Sequence, residues 1–166
     1  PPVIHRDLKP DNVLLARDVR NGRFLKVSDF GLATLHEHSS AHGLPKYIAP
    51  EVRKRGVKYN HKIDIYSLAK ICELDIFDID LDETTPQSYS SYNEVLNKCV
   101  DKLRHVLVSM RSTDPDMRPE CSQVLDKYHD WAVDENCLTI DPTFESTLKQ
   151  IITFQKKGVL GLFQVY

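Results

Sequence analysis

Residues 5–12 read His5-Arg6-Asp7-Leu8-Lys9-Pro10-Asp11-Asn12, which places two acids, two cations, a histidine, an amide and a proline in eight positions. Carboxylate, ammonium and amide groups so close together are the materials of acid–base, metal-binding and charge-neutralising chemistry. Three short motifs follow in order: Asp29-Phe30-Gly31, Ala49-Pro50-Glu51, and Asp114-Pro115-Asp116-Met117-Arg118-Pro119. Singly, each has an ordinary account, with Asp7 as a turn acid, Asn12 as a cap and Asp29 as a strand-end residue. The specific signal lies in the whole set and its order.

The elements that must hold these groups follow from apolar patterning. Val13-Leu14-Leu15-Ala16 and Phe24-Leu25-Lys26-Val27 flank residues 17–23, where Asn21-Gly22 supplies a turn. This predicts a β-hairpin with a rather long loop. Residues 34–44 are polar and read as an exposed loop. Across residues 61–73, Ile65, Leu68, Ala69 and Cys72 follow helical spacing, while Ile63, Ile71 and Leu74 add other faces. That pattern predicts a central, buried helix. Residues 84–91 read as a linker. In residues 92–110 the stripe Leu96, Cys99, Val100, Leu103, Val106, Leu107 and Met110 predicts an amphipathic helix. A further helix is expected from Pro119, as its first helical residue, to Trp131. Another is expected over residues 142–155, followed by an apolar tail. The expected fold is mainly α with a small β-hairpin.

A chain of 166 residues, 41% hydrophobic, suits one domain or most of one. A net charge of −2 argues against a nucleic-acid or anionic-membrane footprint. No apolar run is long enough to span a bilayer. Cys72, Cys99, Cys121 and Cys137 form no Cys-x-x-Cys pair, so reduced, mostly buried thiols of an intracellular protein are expected. His36, His38 and His42 share one loop, but their spacing fits no strong metal-ligand pattern.

Over residues 1–131 the ordered motifs resemble the C-terminal lobe of eukaryotic protein kinases, of the serine/threonine type. Residues 132–166 form an extension that the resemblance does not cover. The resemblance implies ATP and Mg²⁺ as cofactors and a protein as substrate. Asp7 would then orient the substrate hydroxyl, Lys9 would place a cation on the transferring phosphate, and Asn12 and Asp29 would ligate Mg²⁺. Leu14 and Ser28 would line the adenine pocket. His5, Arg6, Phe30 and Gly31 would support the loop, with Phe30 plugged into an apolar spine to fix Asp29. Glu51 and Arg118 would form an ion pair, and Asp64 would accept backbone N–H bonds from residues of the 5–12 loop. Lys9 marks serine/threonine rather than tyrosine specificity. Arg6 and the distance to Ala49 imply an activating phosphorylation at Ser40 or Ser39.

The chain also departs from the family pattern. Gly43-Leu44 stands where Gly-Thr is usual, Ala69 replaces a glycine, and residues 75–91 look short and acidic. No Gly-rich loop or phosphate-gripping lysine precedes His5, and the chain begins Pro1-Pro2 without methionine. The expectation is therefore a fragment, inactive alone, of a cytoplasmic or nuclear kinase whose N-terminal lobe is missing. The alternative is a pseudokinase or scaffold that binds partners without turnover.

Overall fold

The fold was obtained as a computed structural model, which describes residues 2–20, 23–35, 43–77, 79–82, 94–127 and 130. Strand β1 (Val13–Arg20) pairs antiparallel with β2 (Arg23–Val27), in the register Val13↔Val27, Leu14↔Lys26 and Leu15↔Leu25. Pairing is irregular between Leu15 and Arg20, then resumes at Arg20↔Arg23. The expected loop over residues 17–23 is thus mostly strand. Polar side chains mask a strand in sequence but do not stop its backbone from pairing. Asn21 and Gly22, between the strands, lie outside the described residues.

Helix α1 (Lys62–Ile71) is the axis of the rest. At 100° per residue, Ile63, Ser67 and Ile71 form one row and Ile65 and Ala69 lie on the opposite side. All five are buried. The two sides feed two cores. Ile63 packs with Ile4, Ala49, Val52 and Tyr59. Ile65 and Ala69 pack with Ile79, Leu81, Leu107 and Met110. Leu68, expected in the stripe, falls between the two sides and stays 38% exposed. A π turn (Cys72–Ile76) ends the helix, and Ile79 N donates to Glu73 O at 3.0 Å just beyond it. Residues 79–82, part of the stretch that reads as short and acidic, therefore send Ile79 and Leu81 into the main core.

Helix α2 (Glu94–Met110) buries Leu107 and Met110 and packs Leu103 and Val106 against α1. At its end, Arg111 Nη1 donates to Glu73 Oε1 at 2.9 Å and also pairs with Asp82. Lys70 Nζ reaches Glu73 Oε2 at 2.8 Å, so this buried acid is matched from two sides. Helix α3 (Cys121–Asp126) starts later than expected. Glu120 is extended (φ −75°, ψ 157°) and its N–H donates to Gln123 Oε1 at 2.7 Å. Glu120 is therefore the cap, and Pro119 lies ahead of it. The expected helix over 142–155, the tail and Cys137 lie outside the described residues. Of the other cysteines, Cys72 and Cys99 are half-buried and Cys121 is exposed, so the expectation of mostly buried thiols fails. Burial pushes the Cys72 thiol up to about 11.

One ion pair fastens the turn Pro50–Arg53 to the loop before α3. Arg118 Nη1 and Nη2 donate to Glu51 Oε1 and Oε2 at 2.6 and 2.8 Å. Arg118 also donates to the Ser112 and Lys62 carbonyls at 2.8 and 3.0 Å, and its guanidinium lies 5.0 Å from the Tyr66 ring centre. The pair is bidentate, buried and fully hydrogen-bonded, the geometry in which losing one partner costs most. Arg118→Ala should lower the unfolding free energy of the chain by about 3–5 kcal/mol in urea titrations, because Glu51 is left buried and unmatched. A loss below about 1 kcal/mol would place the pair among surface bridges.

Candidate active site

The site begins at the first turn of α1. Asp64 Oδ2 accepts the His5 N–H at 2.6 Å and its Oδ1 accepts the Arg6 N–H at 3.0 Å. One carboxylate thus fixes two consecutive peptides of a loop nearly sixty residues away. Arg6 adopts a left-handed conformation (φ 73°), which for a residue with Cβ costs about 1–2 kcal/mol. The Asp64 bonds are positioned to hold that turn. Burial pushes the Asp64 carboxyl above its ordinary value, while the His5 and Arg6 N–H groups pull it back down.

His5 ties this loop to residues 28–30. The Ser28 carbonyl can only accept, so the proton of the 2.8 Å contact sits on His5 Nε2. Ile4 and Thr34 exchange backbone hydrogen bonds of 2.8 and 2.9 Å beside it. After His5 the chain brings Asp7, Lys9 and Asn12 together. Lys9 Nζ lies 2.8 Å from Asp7 Oδ2. That hydrogen bond raises the Lys9 pKa and keeps the side chain cationic. The turn Pro10–Asn12 buries Asn12, whose Nδ2 donates to Asp7 O at 2.8 Å and contacts Asp7 Oδ2 at 3.3 Å. Ser28 N and Oγ both donate to Asn12 O, at 2.9 and 3.2 Å. Ser28 therefore links the Asp7 cluster to Asp29.

Asp29 is also left-handed (φ 57°, ψ 69°), and its Oδ1 accepts the Gly31 N–H at 3.3 Å. A Cβ on Gly31 would come within 3.2 Å of that oxygen, so glycine lets the turn close. Phe30 departs from expectation. Its ring meets the His5 ring edge-on at 4.9 Å, yet the residue is 56% exposed. The short turn Phe30–Leu32 presents the ring to open space, where among the described residues only His5 meets it face to edge. Leu14, two residues beyond Asn12 on β1, is exposed as well. Glu51 and Arg118 stand apart from the cluster as a structural pair. Ser39, Ser40 and the three loop histidines lie outside the described residues.

Two features escaped the sequence reading. Gly43 (φ 100°) is pressed against the loop. A Cβ there would sit 3.2 Å from Arg6 O and 3.5 Å from Asp7 Oδ1. Its sequence signal is the glycine of the Gly43-Leu44 pair, and the fold adds that this position needs positive φ. Residues 45–47 are then pinned from below, with the Arg53 guanidinium donating to Pro45 O and Ser67 Oγ donating to Tyr47 O at 2.9 Å. Leu44 stands between these anchors, 47% exposed, on the rim of a small gap it shares with Asp7.

The cluster offers an exposed carboxylate (Asp29), a second carboxylate already on a cation (Asp7), and an amide whose nitrogen is committed to Asp7. Hard oxygens from Asn12 and Asp29 are the donor type that Mg²⁺ takes, and Lys9 supplies positive charge for a phosphate. The residues present fit a magnesium–nucleotide group.

Residues 2–132 match the family model described as the protein kinase domain. The chain is 37% identical over 139 residues to a Wee1-like protein kinase of Oryza sativa subsp. japonica, covering 76% of the chain and 25% of that protein. It is 34% identical to the ovarian-specific serine/threonine-protein kinase Lok of Drosophila melanogaster, covering 74% of the chain and 29% of that protein. With the interferon-induced, double-stranded RNA-activated protein kinase of Rattus norvegicus it shares 29% identity, over 78% of the chain and 26% of that protein. The chain spans about a quarter of the length of these relatives.

Asp64 gives a pH signature. An acid whose pKa is higher folded than unfolded binds more protons in the folded state, so its share of stability falls as pH rises from the ordinary value through the raised one. Carbon-detected NMR of the chain should show the Asp64 carboxyl titrating above 3.8. A midpoint below 3.8 would mean that the two N–H bonds outweigh burial.

Proposed function

The chain belongs to the eukaryotic protein kinase family, and we propose that the polypeptide carrying it transfers the γ-phosphoryl group of ATP to serine or threonine hydroxyls of protein substrates. The observation that carries this reading is the contact of Asp7 with both Lys9 and Asn12, in a loop held by Asp64. In this reading the chain supplies the C-terminal lobe, and the activity belongs to the longer polypeptide.

The roles follow from chemistry. Asp7 accepts a hydrogen bond from the substrate hydroxyl and aims its oxygen at the phosphorus. Lys9, on the same carboxylate, neutralises charge as it spreads over the phosphate oxygens. Asn12 and Asp29 hold Mg²⁺, which when bound neutralises the phosphates and orients the chain of phosphoryl groups. Leu14 and Ser28 line the adenine side. Arg6 receives an activating phosphate at Ser40 or Ser39. Phe30 steadies Asp29 once an apolar partner covers it.

One observation favours a second reading, a pseudokinase that binds partners without turnover. Leu44 has no hydroxyl to give the neighbouring Asp7, so nothing from that position shares its proton network. Phosphorylation of carrier proteins, one basic and one acidic, by the full natural polypeptide, with ATP and Mg²⁺, separates the two readings. Turnover should fall by about 10²-fold or more in Asp7→Ala. Leu44→Thr should raise turnover several-fold by adding a hydrogen bond worth about 1 kcal/mol. Absence of any Asp7-dependent incorporation selects the pseudokinase.

A further inference from the structure

Charges of both signs are mixed along most of the sequence, but residues 46–62 hold six Lys and Arg against one acid. That acid, Glu51, is buried and matched by Arg118, so it does not offset the surface. Arg53, Lys54, Arg55 and Lys58 are all exposed. The loop turns at Gly56 (φ 74°), around which nothing lies within 4 Å of an added Cβ. Among the described residues no acid pairs with Lys54, Arg55 or Lys58. Lys46 extends the strip. It pairs with Asp75 at 3.1 Å and stays half exposed.

The strip is joined to the reactive corner. The Arg53 guanidinium donates to the Pro45 carbonyl. Two residues earlier, Gly43 packs against Asp7. Solvent-facing cations thus border the segment that runs past the Asp7 carboxylate. Nucleic acid fits less well. Tyr47 and Tyr59, the aromatic side chains nearest the strip in sequence, are buried and offer no stacking platform.

We propose that this basic strip docks an acidic stretch of the protein substrate beside the hydroxyl to be phosphorylated. The proposal rests on the kinase reading above, and it adds what that reading leaves open, the chemistry of the residues flanking the acceptor. Attraction across exposed charges is modest per pair and additive over several.

The test uses the full natural polypeptide and matched serine peptides carrying four Asp on one side of the acceptor, four on the other, or four Asn instead. One of the Asp peptides should show a kcat/KM about ten-fold above the Asn peptide at low salt, through KM, with the ratio shrinking at high salt. In Lys54→Ala/Arg55→Ala/Lys58→Ala the ratio should approach one. In the charge-preserving Lys54→Arg/Arg55→Lys/Lys58→Arg it should persist. Equal kcat/KM for all three peptides overturns the proposal and leaves the kinase reading intact. If no peptide is phosphorylated, the carrier-protein assay above decides the kinase reading, and fluorescence anisotropy with the same peptides decides the surface. Binding of an Asp peptide that the alanine variant abolishes supports it, and equal binding of Asp and Asn peptides overturns it. An RNA oligonucleotide bound more tightly than either Asp peptide at the same salt also overturns it.

Discussion

Two peptide N–H groups on one half-buried carboxylate set the geometry of everything above them. Asp64 is placed by α1, and α1 is placed by two apolar cores on opposite sides of the helix. The carboxylate passes that rigidity to His5 and Arg6 through bonds of 2.6 and 3.0 Å. From there the left-handed turn at Arg6 leads into Asp7, and the His5 ring bonds the Ser28 carbonyl. A polar loop rich in conformational options is thereby reduced to one arrangement. Burying the acid costs free energy, which is why its carboxyl is pushed upward, and two charge-assisted hydrogen bonds offset part of that cost.

A second constraint acts from the other side. Residues 43–47 lie against the loop because Gly43 lacks a Cβ, Ser67 reaches the Tyr47 carbonyl and Arg53 reaches that of Pro45. Below them, Arg118 binds Glu51 through both guanidinium nitrogens. The reactive corner is therefore clamped between α1 and a turn that is itself fastened to the loop before α3. Leu44 borders the gap next to Asp7 together with Tyr47, Val52 and Ile63, and it is the half-exposed member of that set.

Legibility in the sequence followed the range of each interaction. Asp7, Lys9 and Asn12 are near neighbours in the chain, so a short motif sufficed to group them. Asp64 and the Glu51–Arg118 pair are distant in sequence and were readable only through the family pattern. The α2 stripe was plain because one face of that helix is buried. Leu68 misled because α1 is buried on two opposite sides, and a single stripe does not describe such a helix. Strand β1 was cut short because Arg17, Asp18 and Arg20 look like loop residues, although backbone pairing is indifferent to them. Phe30 was expected in a packed spine, and its exposure follows from what surrounds a three-residue turn, which no local pattern encodes. The basic excess over residues 46–62 is plain in the sequence once counted locally, and the fold adds that Arg53, Lys54, Arg55 and Lys58 face solvent while Glu51 does not.

The central claim is that Asp64 acts through the loop it holds, so that its effect on chemistry is an effect on Asp7. A kinetic double-mutant cycle tests this directly, with Asp64→Asn and Asp7→Ala made singly and together in the full natural polypeptide. Phosphoryl-transfer turnover is measured at saturating ATP and Mg²⁺. The account predicts that Asp64→Asn lowers kcat strongly in the parent and hardly at all in the Asp7→Ala background. Losses that multiply across the two sites would contradict it.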